Sequence, residues 1–161
     1  MNETTNIFTE MRHKNKLMSE TDAIEVLTKA EFGTLASIGK NGYPYAVPLN
    51  FVVENGAVYF HSAHEGNKIN NIKNNAKVSF SAVSYVNLVP SKFDTEYDSA
   101  VIFGTAVEVT DEIDKRQALI ALIKKYSSEY FDKGMAYITN SINTTTVYKI
   151  HIEHMTGKRG R

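Results

Sequence analysis

The chain has 161 residues, 18 Lys+Arg against 18 Asp+Glu, no Cys and no Trp. That length suits one domain, which buries about 70% of the surface its unfolded form exposes and needs no disulfide or metal staple. Zero Cys excludes disulfide frameworks, Cys-ligated zinc, iron–sulfur clusters and thiol nucleophiles, and a formal net charge of zero speaks against nucleic acid, whose phosphates call for a basic excess.

Residues 1–10 read as a flexible N-terminal lead-in, followed by a basic cluster at Arg12, His13, Lys14 and Lys16. Ser19-Glu20-Thr21-Asp22 has the form of a helix N-cap with a carboxylate three residues on. Ile24, Leu27 and Ala30, with Val26 beside them, then predict an amphipathic helix over 20–30. A strand over 34–38 leads into Gly39-Lys40-Asn41-Gly42, where Asn-Gly tolerates the positive φ of a tight hairpin. The run 43–53 reads as one long strand carrying Pro44 and Pro48; proline cannot donate to a ladder, so the strand belongs at an edge or on a bulge. Asn55-Gly56 marks a second hairpin and 57–62 the next strand, and 66–74 carries one or two helical turns. Alternation of Val78, Phe80 and Ala82 predicts a strand over 77–86.

The segment 87–97, with Pro90, reads as a loop, and 100–110 as a strand interrupted by Gly104. Asp111, Glu112 and Asp114 crowd the start of a helix and Lys124 and Lys125 its end, which complements the helix dipole. Ile113, Ile120 and Ile123 supply its apolar face, widened by Leu119 and Leu122. A further helix over 128–141 precedes a closing strand over 144–153, with Tyr148, Ile150 and Ile152 on one side. About six strands joined by hairpins too short for parallel crossovers, plus peripheral helices, give a mainly β, α+β fold: a small six-stranded antiparallel barrel.

Hydrophobic residues at 42% and charged ones at 22% fit a soluble globular domain. No apolar run reaches the roughly 20 residues of a membrane span, and the N-terminus lacks the apolar core of a signal peptide, so the expected setting is cytoplasmic. His61-Ser62-Ala63-His64 and the pair His151 and His154 have ligand-like spacing. Residues three apart on a strand face opposite ways, however, so no metal site is expected. Neither GxSxG nor HExxH occurs. Along 61–69, small residues, Gly66 and Lys68 stand where a strand turns into a helix; exposed N–H groups, the helix dipole and the lysine together favour an anion. Alone, the same stretch reads first as a solvated turn, since no Walker loop is present. Most of Tyr43, Tyr45, Phe51, Tyr59 and Phe60 read as core aromatics. Lys158-Arg159-Gly160-Arg161 and the cluster at 12–16 read as solvated basic tails, unless the fold brings them to a phosphate.

In combination these motifs resemble a known family. Gly42-Tyr43-Pro44-Tyr45-Ala46-Val47-Pro48-Leu49-Asn50, then Val58-Tyr59-Phe60-His61-Ser62-Ala63, then Gly66-Asn67-Lys68, resemble the pyridoxamine-phosphate-oxidase-like flavoproteins with a split β-barrel. Met11-Arg12, Val89-Pro90-Ser91-Lys92-Phe93, Val101-Ile102-Phe103-Gly104 and Ile152-Glu153-His154-Met155-Thr156-Gly157-Lys158 are similar to the nitroimidazole-resistance (Nim-type) branch. The resemblance runs from residue 11 to residue 158, taken as the FMN-binding domain, with 159–161 a basic tail.

The resemblance implies a homodimer with FMN at the subunit interface. Lys68, Ser62 and Arg12 would bind the FMN phosphate, with Lys158 adding charge. Pro48, Leu49 and Asn50 would flank the ring, and His61, Ser62 and Ala63 would line its other contacts. Lys92 and Phe103 would come from the partner subunit, and His61 would be the residue of catalytic interest. The implied activity is an FMN-dependent oxidoreductase, taking electrons from a reduced nicotinamide or another donor to a small acceptor such as a nitro-aromatic. Alternatives are a non-catalytic flavin- or haem-binding protein and a pyridoxine 5'-phosphate oxidase. Asn67 stands where the family often has His, a departure that bears on phosphate affinity or substrate choice.

Overall fold

A computed structural model describes residues 7–161; most of the predicted lead-in, residues 1–6, lies outside them. In chain order the elements are α1 (Glu20–Lys29), β1 (Gly33–Ile38), β2 (Pro44–Leu49), β3 (Val52–Glu54), β4 (Ala57–Ser62), α2 (Asn67–Asn74), β5 (Lys77–Val89), β6 (Asp94–Glu108), α3 (Glu112–Tyr126), α4 (Phe131–Ser141) and β7 (Thr146–Arg159). Ser19 caps α1 by accepting from the Asp22 N–H, and Asp111 caps α3 by accepting from the N–H groups of Ile113 and Asp114. Among the described helices none is long and apolar enough to cross a membrane.

All strand pairs are antiparallel, in the order β2-β1-β5-β6-β7-β4-β3. Seven strands replace the expected six because the run 43–53 breaks at Asn50-Phe51 into β2 and β3. These two halves form opposite edges of the sheet. Only Asn50 and Phe51 join them, a span of at most about 11 Å, so the sheet must roll until its edges meet. The result is a barrel wall split at that seam. Pro44 and Pro48 both fall on β2, whose single neighbour is β1, so their missing donors interrupt no second ladder. The hairpin at Asn55 and Gly56 has φ of 50° and 73°, the left-handed pair that a tight turn requires.

The predicted loop over 87–97 is instead a long hairpin arm. β5 continues to Val89, the chain reverses through Pro90–Lys92 with Phe93 at φ 53°, and β6 begins at Asp94. Polar residues hid the strand: Asn87 pairs with Glu96 in the ladder, and its amide donates to the Glu96 carboxylate at 3.0 Å. The predicted solvated tail at 159–161 is also corrected. Arg159 ends β7 opposite Asp98, and the buried Asp98 carboxylate accepts from Arg159 Nε at 3.1 Å and Arg161 Nη2 at 2.7 Å. A buried carboxylate must be paired, and the two arginines satisfy it. At position 104, any Cβ would lie 2.1 Å from the His151 carbonyl oxygen, beside a bulge that leaves Glu153 unpaired on β7; only glycine fits.

Two cores flank the barrel wall. Leu27, Phe51, Val58, Phe60, Phe80 and Ile150 belong to the interior, with Phe51 and Phe80 edge-to-face at 4.7 Å. Outside, α3 and α4 cover Ala57, Tyr59 and Val147 with Leu119, Leu122 and Ile138. Leu119 and Leu122, expected only to widen the α3 face, form its centre, while Ile113 is 68% exposed because it lies about 120° round the helix from Leu119. β4 is therefore buried on both sides: Val58 and Phe60 face the interior, Ala57 and Tyr59 face the helices. The same alternation sets the directions of the two residues that end the strand.

Candidate functional site

By that alternation, Ser62 continues the interior row and His61 the helical row. Ser62 is buried, and its Oγ has no hydrogen-bond partner. A buried hydroxyl left unpaired costs about 1–3 kcal/mol, so its presence points to a group that supplies the missing partner. The chain then passes His64, whose Nδ1 sits 2.6 Å from Thr146 Oγ1, and turns at Gly66 with φ 130°. Space above Gly66 is open, with nothing within 4 Å of an added Cβ. α2 starts immediately afterwards with no side chain capping its first N–H groups, and Lys68 is its second residue. Asn71, in the middle of α2, donates to Ser37 Oγ at 3.1 Å and ties the helix to β1. An unpaired hydroxyl, uncapped helix N–H groups and a lysine in one turn are the donor set of an anion site.

His61 looks the other way, into a cavity of about 280 Å³ between the barrel wall and the two long helices, with Asn50 on the same wall. Leu122 and Ile138 form part of its apolar side, and Ser141 and Thr145 bring hydroxyls. Burial first, and then the positive charge of Lys68, hold the His61 imidazole below its ordinary pKa, so it is neutral at pH 7.

The seam beside this cavity is held by α3. Tyr126 Oη donates to the Phe51 carbonyl at 2.9 Å and accepts from the Phe51 N–H at 3.0 Å. One hydroxyl thus takes over both backbone groups at the point where the strand leaves one sheet edge for the other. Burial raises that phenol's pKa above its usual value. The adjacent Lys125 Nζ is buried without a hydrogen-bond partner, 4.0 Å from the centre of the Phe51 ring, and burial pushes its pKa down to about 8.

The structure brings some of the expected site residues together and separates others. His61, Ser62, Ala63 and Lys68 share the turn from β4 to α2. Asn50 meets His61 at the cavity, while Pro48 and Leu49 lead into the seam on β2, Leu49 packing on the interior core. Lys158 does not join Lys68. Ser62 pairs with Thr146 at the start of β7, and Lys158 lies twelve residues along that strand, up to roughly 40 Å away. Arg12 is tethered to the same far end, because Leu17 bridges to Lys158 and Met18 donates to the Gly157 carbonyl. Its guanidinium lies 2.7 Å from His13 Nε2. Within one chain, Arg12 and Lys158 therefore stand apart from Lys68. Phe103 stands outward on β6, stacked with Phe8, and Lys92 is at the arm's tip; neither approaches His61 within the chain. Phe8, assigned to the lead-in, is held against Phe103 and His154, with ring centres 5.4 and 4.6 Å away. Sequence reasoning missed Tyr126, Lys125 and the helical wall of the cavity, whose partners lie some 75 positions away in the chain. Among the described residues there is no group of three or more potential metal ligands.

Comparison with known proteins agrees with this architecture. A family model described as pyridoxamine 5'-phosphate oxidase matches residues 19–159. A candidate 5-nitroimidazole antibiotic resistance protein of Bacteroides thetaiotaomicron is 26% identical, with a TM-score of 0.76 over 89% of this chain and 86% of that one. A conserved hypothetical protein of Mycobacterium tuberculosis superposes with a TM-score of 0.80 at 18% identity, covering 94% and 90%. An FAD and haem binding protein of Mycobacterium smegmatis gives 0.76 at 20% identity, covering 91% and 74%. No curated protein matches the sequence. With the rolled, split sheet and a matched span of nearly the whole chain, the protein belongs to the pyridoxamine 5'-phosphate oxidase family.

Proposed function

We propose that the chain is an FMN-dependent oxidoreductase that passes electrons from a reduced nicotinamide or another donor to a small acceptor. The observation that carries this reading is the buried, unpartnered Ser62 Oγ at the foot of an uncapped helix bearing Lys68. Those groups fit a phosphate of about −2 charge, which a dipole and one lysine offset without a basic protein. The FAD and haem binding relative supports a flavin, and the nitroimidazole-resistance relative supports a small nitro-aromatic acceptor.

On this reading Ser62, Lys68 and the first N–H groups of α2 hold the phosphate, and Ala63 borders it. Pro48, Leu49 and Asn50 flank the ring along the seam, where backbone groups have no second ladder. Bound FMN supplies two-electron transfer, which the side chains here cannot. His61 presents a neutral imidazole at the mouth of the cavity, able to donate or accept one hydrogen bond to the acceptor. Tyr126 fixes the seam, and with it Asn50. Arg12, Lys92 and Phe103, distant in one subunit, are assigned to the site of a partner in a homodimer. The binding domain spans 11–158, in a cytoplasmic setting.

Lys68→Ala is expected to weaken FMN binding by about 1.5–3 kcal/mol, the worth of a hydrogen bond to a charged group. Fluorescence titration measures it, and an unchanged dissociation constant would make Lys68 a surface lysine only.

A further inference from the structure

The cavity under α3 and α4 is a chemically distinct compartment from the anion cradle. The two lie on opposite faces of β4, reached by adjacent residues, His61 and Ser62. None of the eleven residues lining the cavity is Asp, Glu, Lys or Arg. The neighbouring cation, Lys125, is turned onto the Phe51 ring and is not part of the lining. Apolar walls at Leu119, Leu122 and Ile138 are interrupted by hydroxyls of Tyr137, Ser141 and Thr145; Ser141 and Thr145 already donate to the carbonyls of Tyr137 and Ser141, so they offer a ligand lone pairs and no proton. At about 280 Å³ the space falls just below the usual range for drug-sized ligands, so it holds a single substituted ring and not a dinucleotide.

From this composition we infer that the cavity is the acceptor site and that it selects small, planar, uncharged molecules bearing hydrogen-bond-donating substituents, rejecting anions of the same shape. The inference rests on the flavin reading for the word acceptor, though not for the ligand class. An anion would surrender its hydration to walls that carry no lysine or arginine, a large penalty. A neutral donor exchanges water for apolar contact and for the lone pairs of the Ser141 and Thr145 hydroxyls. The same logic sets pyridoxine 5'-phosphate apart: its dianion matches the cradle beside Ser62 and not this cavity.

The test uses 4-nitrobenzamide and 4-nitrobenzoate, two probes of nearly one shape that differ by one charge. Titration calorimetry of the full chain, with and without added FMN, is expected to show the amide binding at least about tenfold more tightly than the carboxylate. Ser141→Trp fills the cavity and should weaken the amide at least about tenfold while leaving the FMN dissociation constant unchanged. Ser141→Lys, at a half-exposed position on α4, supplies the missing counter-charge and should shift preference toward the carboxylate.

Equal binding of both probes to the native chain overturns the inference. So does amide binding that ignores both variants, or FMN affinity that falls in step with cavity filling, which would make the cavity part of the flavin slot. If the native chain binds no FMN, the proposed oxidoreductase falls. The preference for the amide and its response to Ser141→Lys then decide the cavity's ligand class by themselves.

Discussion

A single hydroxyl holds the seam of this barrel. Tyr126 Oη serves both the N–H and the carbonyl of Phe51, a residue with no exposed surface. Tyr126→Phe leaves two backbone groups unpaired in a buried place, and we expect a loss of about 1–3 kcal/mol in urea unfolding, together with weaker ligand binding at Asn50. A stability within about 0.5 kcal/mol of the native chain would mean that water replaces the phenol. Its neighbour makes the opposite prediction. The Lys125 ammonium has a folded pKa of about 8 against an ordinary 10.5. Between those values the unfolded chain keeps a proton that the folded chain has released, so this group's contribution to stability rises with pH across that window. Lys125→Met should therefore be as stable as the native chain or more so at about pH 7, and the difference should shrink by about pH 9.5. Parallel stability profiles for the two would show that the amine reaches solvent.

At the scale of elements, local signals were sound where the physics was local. Ser19, Asp111 and Asn55-Gly56 declare a cap, a cap and a turn because their side chains or φ angles act on residues two or three positions away. The β5–β6 arm was not legible, since Asn87, Ser91 and Lys92 have loop-like chemistry and its strands are set by pairing across the ladder. Past Ala82, β5 loses β1 as a neighbour, and the arm projects with Val86 60%, Leu88 69% and Phe93 99% exposed. Such apolar exposure on a hairpin calls for a covering surface. In the proposed homodimer that surface belongs to the second copy, which would also carry Lys92 toward the partner's site. Leu88→Ser with Phe93→Ser is expected to give a folded monomer by sedimentation equilibrium. An unchanged mass would place the dimer contact elsewhere.

For the whole molecule, the class of fold was written in the short hairpin connections, while the rolling of the sheet was not. Nothing local tells that Leu49 and Val52 lie on opposite edges; that comes from which strands pair at long range. The candidate site divides the same way. His61, Ser62 and Lys68 were found because they adjoin in sequence, whereas the cavity walls come from helices some 60–80 positions later. The charge balance also has its own geography within the chain: Lys68 stands at the cradle, and Lys158 and Arg12 stand at the other end of β7. The cofactor bound at that cradle is therefore the point on which the proposed function depends. The most direct measurement is the absorbance spectrum of the purified, FMN-titrated protein, with the mass of the chromophore released from it. A two-band flavin spectrum and the mass of FMN are the predicted result. A Soret band, a different chromophore mass, or no chromophore retained at saturating FMN would contradict it.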